Sequence, residues 1–225
     1  MKYWKVSGRS VEYIRDTPIT NNMYLQLSEI SDAIKRNSHY AKGVLIDVGA
    51  GNAPYKKFFE GKVKKYITLD SSDFKGKKPD IFGDVLNLPL KNNSVDTIFS
   101  SQVLEHVSDP QKMINEIYRV LKKKGVCILT THMANPLHGE PHDYFRFTKY
   151  GLKELFKKFK KIEKIEENGG ALLSIGQFIV WGISDITPSF ISLPIIILLN
   201  LIIKKMDKIF YNPIFTTNYI IIAVK

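Results

Sequence analysis

The chain has 225 residues, 44% hydrophobic, and one cysteine (Cys127) set in an apolar run, so it can bury one sizeable core and has no disulfide framework. Its net charge of +11 comes from lysine, 28 against five arginines, and Lys153, Lys157, Lys158, Lys160, Lys161 and Lys164 lie on or just after one amphipathic helix. That is the pattern of a solvated face, and nucleic acid is not the expected partner.

In chain order, Met1-Lys2-Tyr3-Trp4-Lys5 lacks the apolar centre of a signal peptide, which points to a cytoplasmic location. Met23, Leu27, Ile30 and Ile34 recur at helical spacing and predict a helix over about 21–37. The pattern then predicts strand 44–48, helix 54–60, strand 65–69, strand 95–100, helix 110–122, strand 125–131, helix 148–159 and strand 161–167. Asp109-Pro110 is a helix start, and Lys122–Lys124 followed by Gly125 a matching stop. Alternation of this kind builds a mostly parallel sheet with helices on both faces and a ligand at the carboxyl ends of the strands.

The first strand runs into Asp47-Val48-Gly49-Ala50-Gly51-Asn52-Ala53-Pro54. Glycines here let the backbone approach a ligand. Asp70 ends the second strand 23 residues after Asp47, where a nucleotide-binding α/β unit places a carboxylate on ribose hydroxyls. Asp84 follows 14 residues later and suits the exocyclic amine of an adenine. A dinucleotide fingerprint would carry a third glycine where Pro54 stands, and Asp47 would repel a pyrophosphate. The same carboxylate welcomes a cationic amino or sulfonium group. The site thus reads as one for S-adenosylmethionine (SAM) rather than NAD.

Asp47–Ala53, Leu69-Asp70, Gly83-Asp84-Val85-Leu86-Asn87-Leu88-Pro89, Ser94–Ser100, Val103–Val107 and Glu116–Leu121 resemble the ordered motifs of class I SAM-dependent methyltransferases, in the branch that includes ubiquinone and menaquinone biosynthesis enzymes. The resemblance covers about 40–160 and resumes at the last strand, 219–224. It implies a Rossmann-like α/β fold with a seven-stranded sheet. It divides the chain into an N-terminal helical segment (1–40), a cofactor-binding core (41–170), an apolar helical insertion (171–211) and a final core strand (212–225). Asp47 with Gly49, Ala50 and Gly51 would hold the methionine part of SAM, Asp70 with Ser71 the ribose, and Asp84 with Val85 the adenine. Ser100, Ser101 and Gln102 would lie on the methionine side.

Methylation of a hydroxyl requires alignment, exclusion of water and removal of a proton. His106 would lie near the transferred methyl, or pack as a histidine fixed by Glu105. The loop His132…His138-Gly139-Glu140-Pro141-His142-Asp143-Tyr144-Phe145-Arg146-Phe147-Thr148 should cover the acceptor side. His142 is the expected base, Asp143 its orienting partner and Arg146 a fork for a carboxylate or phosphate. His138, Glu140, His142 and Asp143 also offer metal-ligand atoms, though in no helical zinc spacing, and no metal is expected. The run 141–148 resembles, more loosely, a segment of methyltransferases in cell-surface glycan assembly.

Between Asn168 and Ile203 the only charged side chain is Asp185, and Lys204, Lys205 and Lys208 follow. Pro188, Pro194 and Asn200 interrupt the run and weigh against a membrane span. It reads as a buried helical cover or homodimer contact, or as an element lying on the inner membrane face through 186–205. The expected activity is methyl transfer from SAM to an oxygen of a small or lipid-linked acceptor, a sugar or glycan intermediate first. The alternatives are a quinone-type lipophilic acceptor and a SAM-binding scaffold without turnover.

Overall fold

The computed structural model describes residues 16–72 and 76–225, so the reading of Met1–Lys5 lies outside the described residues. The elements are α1 (Tyr24–Asn37), β1 (Val44–Val48), β2 (Lys65–Asp70), β3 (Ile81–Phe82), β4 (Val95–Ser101), α2 (Pro110–Val120), β5 (Leu121–His132), α3 (Lys149–Leu155), β6 (Lys161–Asn168), α4 (Ala171–Ile186), α5 (Ser189–Ile209) and β7 (Asn218–Val224). The strands form one seven-stranded sheet in the order β3-β2-β1-β4-β5-β7-β6, in which β3 through β5 pair in parallel. This is the mostly parallel, Rossmann-like arrangement expected. The order reverses at β1, which pairs with β2 on one side and β4 on the other. Parallel strands buried on both faces read as continuous apolar runs, as Val44–Val48 does.

The chain divides into two compact units. One holds Ile34–Glu166 and Tyr219–Lys225, and so carries the sheet. Its core joins Ile46, Val48, Leu69, Ile98, Leu129 and Ile221 to Met113, Ile114 and Ile117 of α2. Asp109 caps α2 by accepting from the Lys112 amide at 3.0 Å, with Pro110 in the first turn. Arg119 ties the end of α2 to the preceding loop. It binds Glu116 and donates to the carbonyls of Leu88 and Leu90.

The other unit holds the described residues through Ala33 together with Glu167–Asn218. Leu25, Leu173, Val180 and Ile196 form its small core. Here α4 and α5 make a hairpin with an unusual polarity. Asn200, Lys204 and Asp207 of α5 turn inward. Asn200 donates to the carbonyls of Ile19 and Asn21, and Asp207 accepts from the amides of Gly170 and Leu173. Lys204 reaches Ser28 and Glu29. Other large apolar residues turn outward: Phe190, Leu198, Leu201, Ile202 and Ile209 are all exposed.

Several expected boundaries move. Helix 54–60 is only a 3-10 turn, Lys56–Phe59, between the positive-φ residues Ala53 and Gly61. Helix 110–122 stops at Val120, since Leu121 is drawn into register with Val95 at the start of β5. The left-handed residue there is Lys124 (φ +64°), whose amide donates to the Lys225 carbonyl, and Gly125 is not the helix stop. Helix 148–159 shortens to Lys149–Leu155, with Phe156 and Phe159 buried beyond it. Pro194 sits inside a continuous α5 and does not break it.

Replacing Arg119 with methionine should lower stability by about 1–3 kcal/mol, because two loop carbonyls and Glu116 lose a charged donor. Urea unfolding monitored by circular dichroism measures it, and an unchanged midpoint would show that the loop is held otherwise.

Candidate functional site

The turn after β1 is built on its backbone. Gly49 (φ +72°) and Ala50 both donate to the Leu69 carbonyl, at 2.9 and 3.2 Å, which hooks the turn onto the end of β2. A Cβ on Gly49 would collide with the Val103 side chain just after β4. Glycine is therefore required twice over at this position, by conformation and by space. Gly51 then turns its amide onto Oδ2 of Asp70 at 2.9 Å, while Oδ1 takes the Ser71 amide at 2.7 Å. The Asp70 carboxylate is thus oriented by backbone at the rim of the turn, and each oxygen keeps a lone pair for a ligand hydroxyl.

Asp47 lies beneath, 3% exposed, with Oδ2 at 2.5 Å from the Tyr66 hydroxyl. Burial pushes its carboxyl up to about 7, against the pull of that hydroxyl, and Asp70 adds repulsion. Tyr66 stands two residues before Thr68, the register partner of Asp47. The sequence reading missed this tyrosine, and register is the signal that could have found it. Asp84 is placed by the short β3, a strand the pattern did not predict. It is exposed and accepts from the Leu86 amide at 2.8 Å, which presents Val85 beside it. At the end of β4, Ser100 bonds the Val48 carbonyl, Ser101 meets the Thr130 hydroxyl, and Gln102 (φ +58°) donates to that same hydroxyl. These stations all sit at the carboxyl ends of β1, β2, β3 and β4, around the point where strand order reverses.

The acceptor loop is arranged differently from the expectation. Asp143 does not orient His142. Both its oxygens grip the Arg146 guanidinium, at 2.6 and 2.8 Å, and one accepts the His138 amide. The guanidinium holds the Asp143 carboxyl well below the usual range. Arg146 also donates to the carbonyls of Asn135 and Pro136, so its fork is occupied inside the loop rather than offered to a ligand. His142 is exposed, with Nδ1 at 2.9 Å from the Tyr144 hydroxyl. His106 is not fixed by Glu105: its Nδ1 lies 2.6 Å from the His142 carbonyl.

Glu105 instead turns down into the protein. Its Oε2 accepts from the Thr131 hydroxyl at 2.8 Å, and Oε1 lies 3.3 Å from Nε2 of His132. Burial raises its carboxyl to about 7. The rings of His106 and His132 stand 4.7 and 4.9 Å from that of His138, nearly perpendicular to it. Burial lowers the His138 imidazole. Of the four metal-capable residues named from sequence, only His138 and Asp143 come together here; Glu105, His106 and His132 complete the groups, and Glu140 and His142 stay out.

Residues 46–129 match the family model described as "Methyltransferase domain". An uncharacterized protein of Methanocaldococcus jannaschii is 29% identical over 192 residues, 84% of this chain and 82% of its own. A sterol 24-C-methyltransferase of Pneumocystis carinii is 25% identical over 79% of this chain, which spans 53% of that enzyme. A demethylmenaquinone methyltransferase of Staphylococcus epidermidis is 33% identical over 84 residues, 36% of this chain and 35% of its own. Among solved structures, a SAM-dependent methyltransferase of Archaeoglobus fulgidus superposes with TM-score 0.57 at 17% identity, over 89% of this chain and 94% of that one. A Haloferax volcanii methyltransferase solved with the activator Trm112 gives 0.60 at 14% identity, over 96% and 97%.

Gly49→Ala tests the turn. With strain and collision together it should cost more than twice what Gly61→Ala costs, because Gly61 has the same sign of φ (+73°) and open space around it. The control change should cost about 1–2 kcal/mol. Thermal melts of the two variants give the comparison, and equal costs would mean that Val103 yields freely.

Proposed function

We propose that this chain, a class I SAM-dependent methyltransferase, methylates an oxygen of a sugar or glycan intermediate carried on a lipid at a membrane surface. The observation that carries the reading is the polarity of the α4–α5 unit. Asn200, Lys204 and Asp207 are tied inward, while Phe190, Leu198, Leu201, Ile202 and Ile209 face out. Single exposed apolar residues are ordinary, but a contiguous exposed set on a helix hairpin marks a contact surface. Exposed Lys205 and Lys208 follow the apolar run and suit anionic headgroups. Among the described residues α5 is the helix long and apolar enough to span a bilayer, with 17% of its apolar window buried. The inward ties of Asn200, Lys204 and Asp207 favour an in-plane position over a span.

In this reading Asp47, with Gly49, Ala50 and Gly51, faces the aminopropyl end of SAM, Asp70 and Ser71 hold the ribose, and Asp84 and Val85 read the adenine. Ser101 and Gln102 flank the methionine part. The sulfonium is already activated, so the chain has to align an acceptor in line with it and take a proton. His142 serves as base, with one ring nitrogen set by the Tyr144 hydroxyl and the other left for the acceptor. Asp143 and Arg146 keep the loop in shape. A quinone-type acceptor is the second reading, favoured by similarity to the demethylmenaquinone and sterol enzymes. Labelled SAM incubated with lipid extracts and soluble sugars decides among them. Label should enter the organic phase and move to the aqueous phase after mild acid frees the glycan. Label that stays organic after acid would favour the quinone, and label that begins aqueous would end the lipid-linked reading.

Two further outcomes are expected. Leu198→Glu with Leu201→Glu should reduce binding to anionic vesicles by about tenfold or more while leaving affinity for S-adenosylhomocysteine unchanged. Equal sedimentation with vesicles would remove the membrane half. Because Asp47 holds its proton below about 7 and the cofactor's ammonium selects the carboxylate, affinity for S-adenosylhomocysteine should rise with pH through that range. The dissociation constant should fall about fivefold or more from pH 6 to 7.5 and then level off. Calorimetry shows it, and a flat profile would take Asp47 out of contact with the ammonium.

A further inference from the structure

Glu105, His132 and His138 each bring one ligand-capable atom within 4.8 Å of the other two. They come from three places: the 3-10 turn after β4, the last residue of β5, and the loop beyond it. Glu105 is wholly buried, His132 is 4% exposed, and the His138 side chain is three-quarters covered. Oε1 of Glu105 and Nε2 of His138 have no hydrogen-bond partner. Leaving such buried acceptors unmet is costly.

The remaining polar atoms of these side chains are held as outer contacts hold metal ligands. Oε2 of Glu105 takes the Thr131 hydroxyl. Nδ1 of His138 lies 3.0 Å from the Pro136 carbonyl, which can only accept. The Asn135 amide nitrogen lies 3.2 Å from the same Nδ1, and in the tautomer that donates to Pro136 the Nε2 lone pair is left for an ion. Nε2 of His132 and Oε1 of Glu105 are 3.3 Å apart. Two ligands at about 2.1 Å from a tetrahedral ion would be about 3.4 Å apart. The Asn135 amide nitrogen, 3.2 Å from Nε2 of His132, is the contact an ion would displace.

We propose that Glu105, His132 and His138 bind a divalent first-row cation, Zn²⁺ foremost. Two imidazoles and one carboxylate suit a borderline ion, whereas Mg²⁺ and Ca²⁺ take oxygen ligands. Three protein ligands leave an open coordination position, as in catalytic rather than structural zinc sites. Resting on the reading of an oxygen acceptor, that position receives the acceptor hydroxyl and eases loss of its proton. Asp143 is neutralised by Arg146 and is not a ligand. His106 stands beside the site, its Nδ1 engaged by the His142 carbonyl.

The test is calorimetric titration of untagged, chelator-stripped, full-chain protein with ZnCl₂, and with MgCl₂ in parallel. One equivalent of Zn²⁺ should bind with a dissociation constant of about 1 μM or below, and Mg²⁺ should give no saturable heat. Glu105→Gln and His138→Ala should each weaken Zn²⁺ at least tenfold, and His142→Ala should leave it unchanged. Unaltered affinity for S-adenosylhomocysteine checks that the variants fold. Should they not, Co²⁺ bound to the wild-type protein should show the strong visible absorption of a four-coordinate site. No zinc binding, zinc binding untouched by both changes, or a Co²⁺ spectrum like that of the aquo ion would overturn the proposal. Zinc bound at these residues in a protein that methylates no oxygen acceptor leaves the site standing and ends the reading of the acceptor.

Discussion

The site depends on one backbone constraint: the chain must turn immediately after β1 with no side chain at Gly49. Two amides of that turn share the Leu69 carbonyl, and Val103 closes the space where a Cβ would go. The turn therefore locks the ends of β1 and β2 to the segment after β4. From that lock follow the direction of the Gly51 amide, the orientation of the Asp70 carboxylate and the depth of Asp47. Strand order reverses at the same place, so a crevice opens at the carboxyl ends of the strands, where open α/β sheets take their ligands.

Two carboxyls are buried at this end of the sheet, and they are handled differently. Asp47 is supported by a single tyrosine hydroxyl. Glu105 has one oxygen satisfied by a threonine and the other left to face imidazoles. Burial raises both into the neutral range, because a charged carboxylate loses its water there without a full partner. Asp143, in the loop after β5, has the opposite fate through its fork with Arg146. Asp143 is thus fully paired within the chain, while Asp47 and Glu105 are left short of partners.

The helical unit inverts the usual order of a globular fold. Asn200, Lys204 and Asp207 recur along one face of α5 and are met by α1, by the loop before it and by the start of α4. The opposite face exposes Leu198, Leu201, Ile202 and Ile209, with Lys205 among them toward the helix end. An exposed apolar set of this kind marks a contact surface. The same hairpin contains Pro194. It lies in the second turn of α5, where it leaves the Phe190 carbonyl without its intrahelical donor while the helix runs on.

Much of this was written in the sequence because the signals are local. The apolar run 44–48, the Gly-x-Gly turn, the carboxylates at 47, 70 and 84 and the capping pair Asp109-Pro110 act over a few residues, and they determined the fold class and pointed to the cofactor. Boundaries set by distant pairing were not legible: Leu121 reads as helix until Val95 draws it into a strand. Contacts across the sheet were hidden too, since Tyr66 reaches Asp47 only through strand register. The histidine loop shows the limit best. Its residue types announced chemistry, yet which side chains face one another was decided by folding. Arg146 claimed Asp143, and Glu105 turned to His132 rather than His106. Sequence ordered the residues that could react; the tertiary structure chose partners among them, because hydrogen bonds form between neighbours in space and not in the chain.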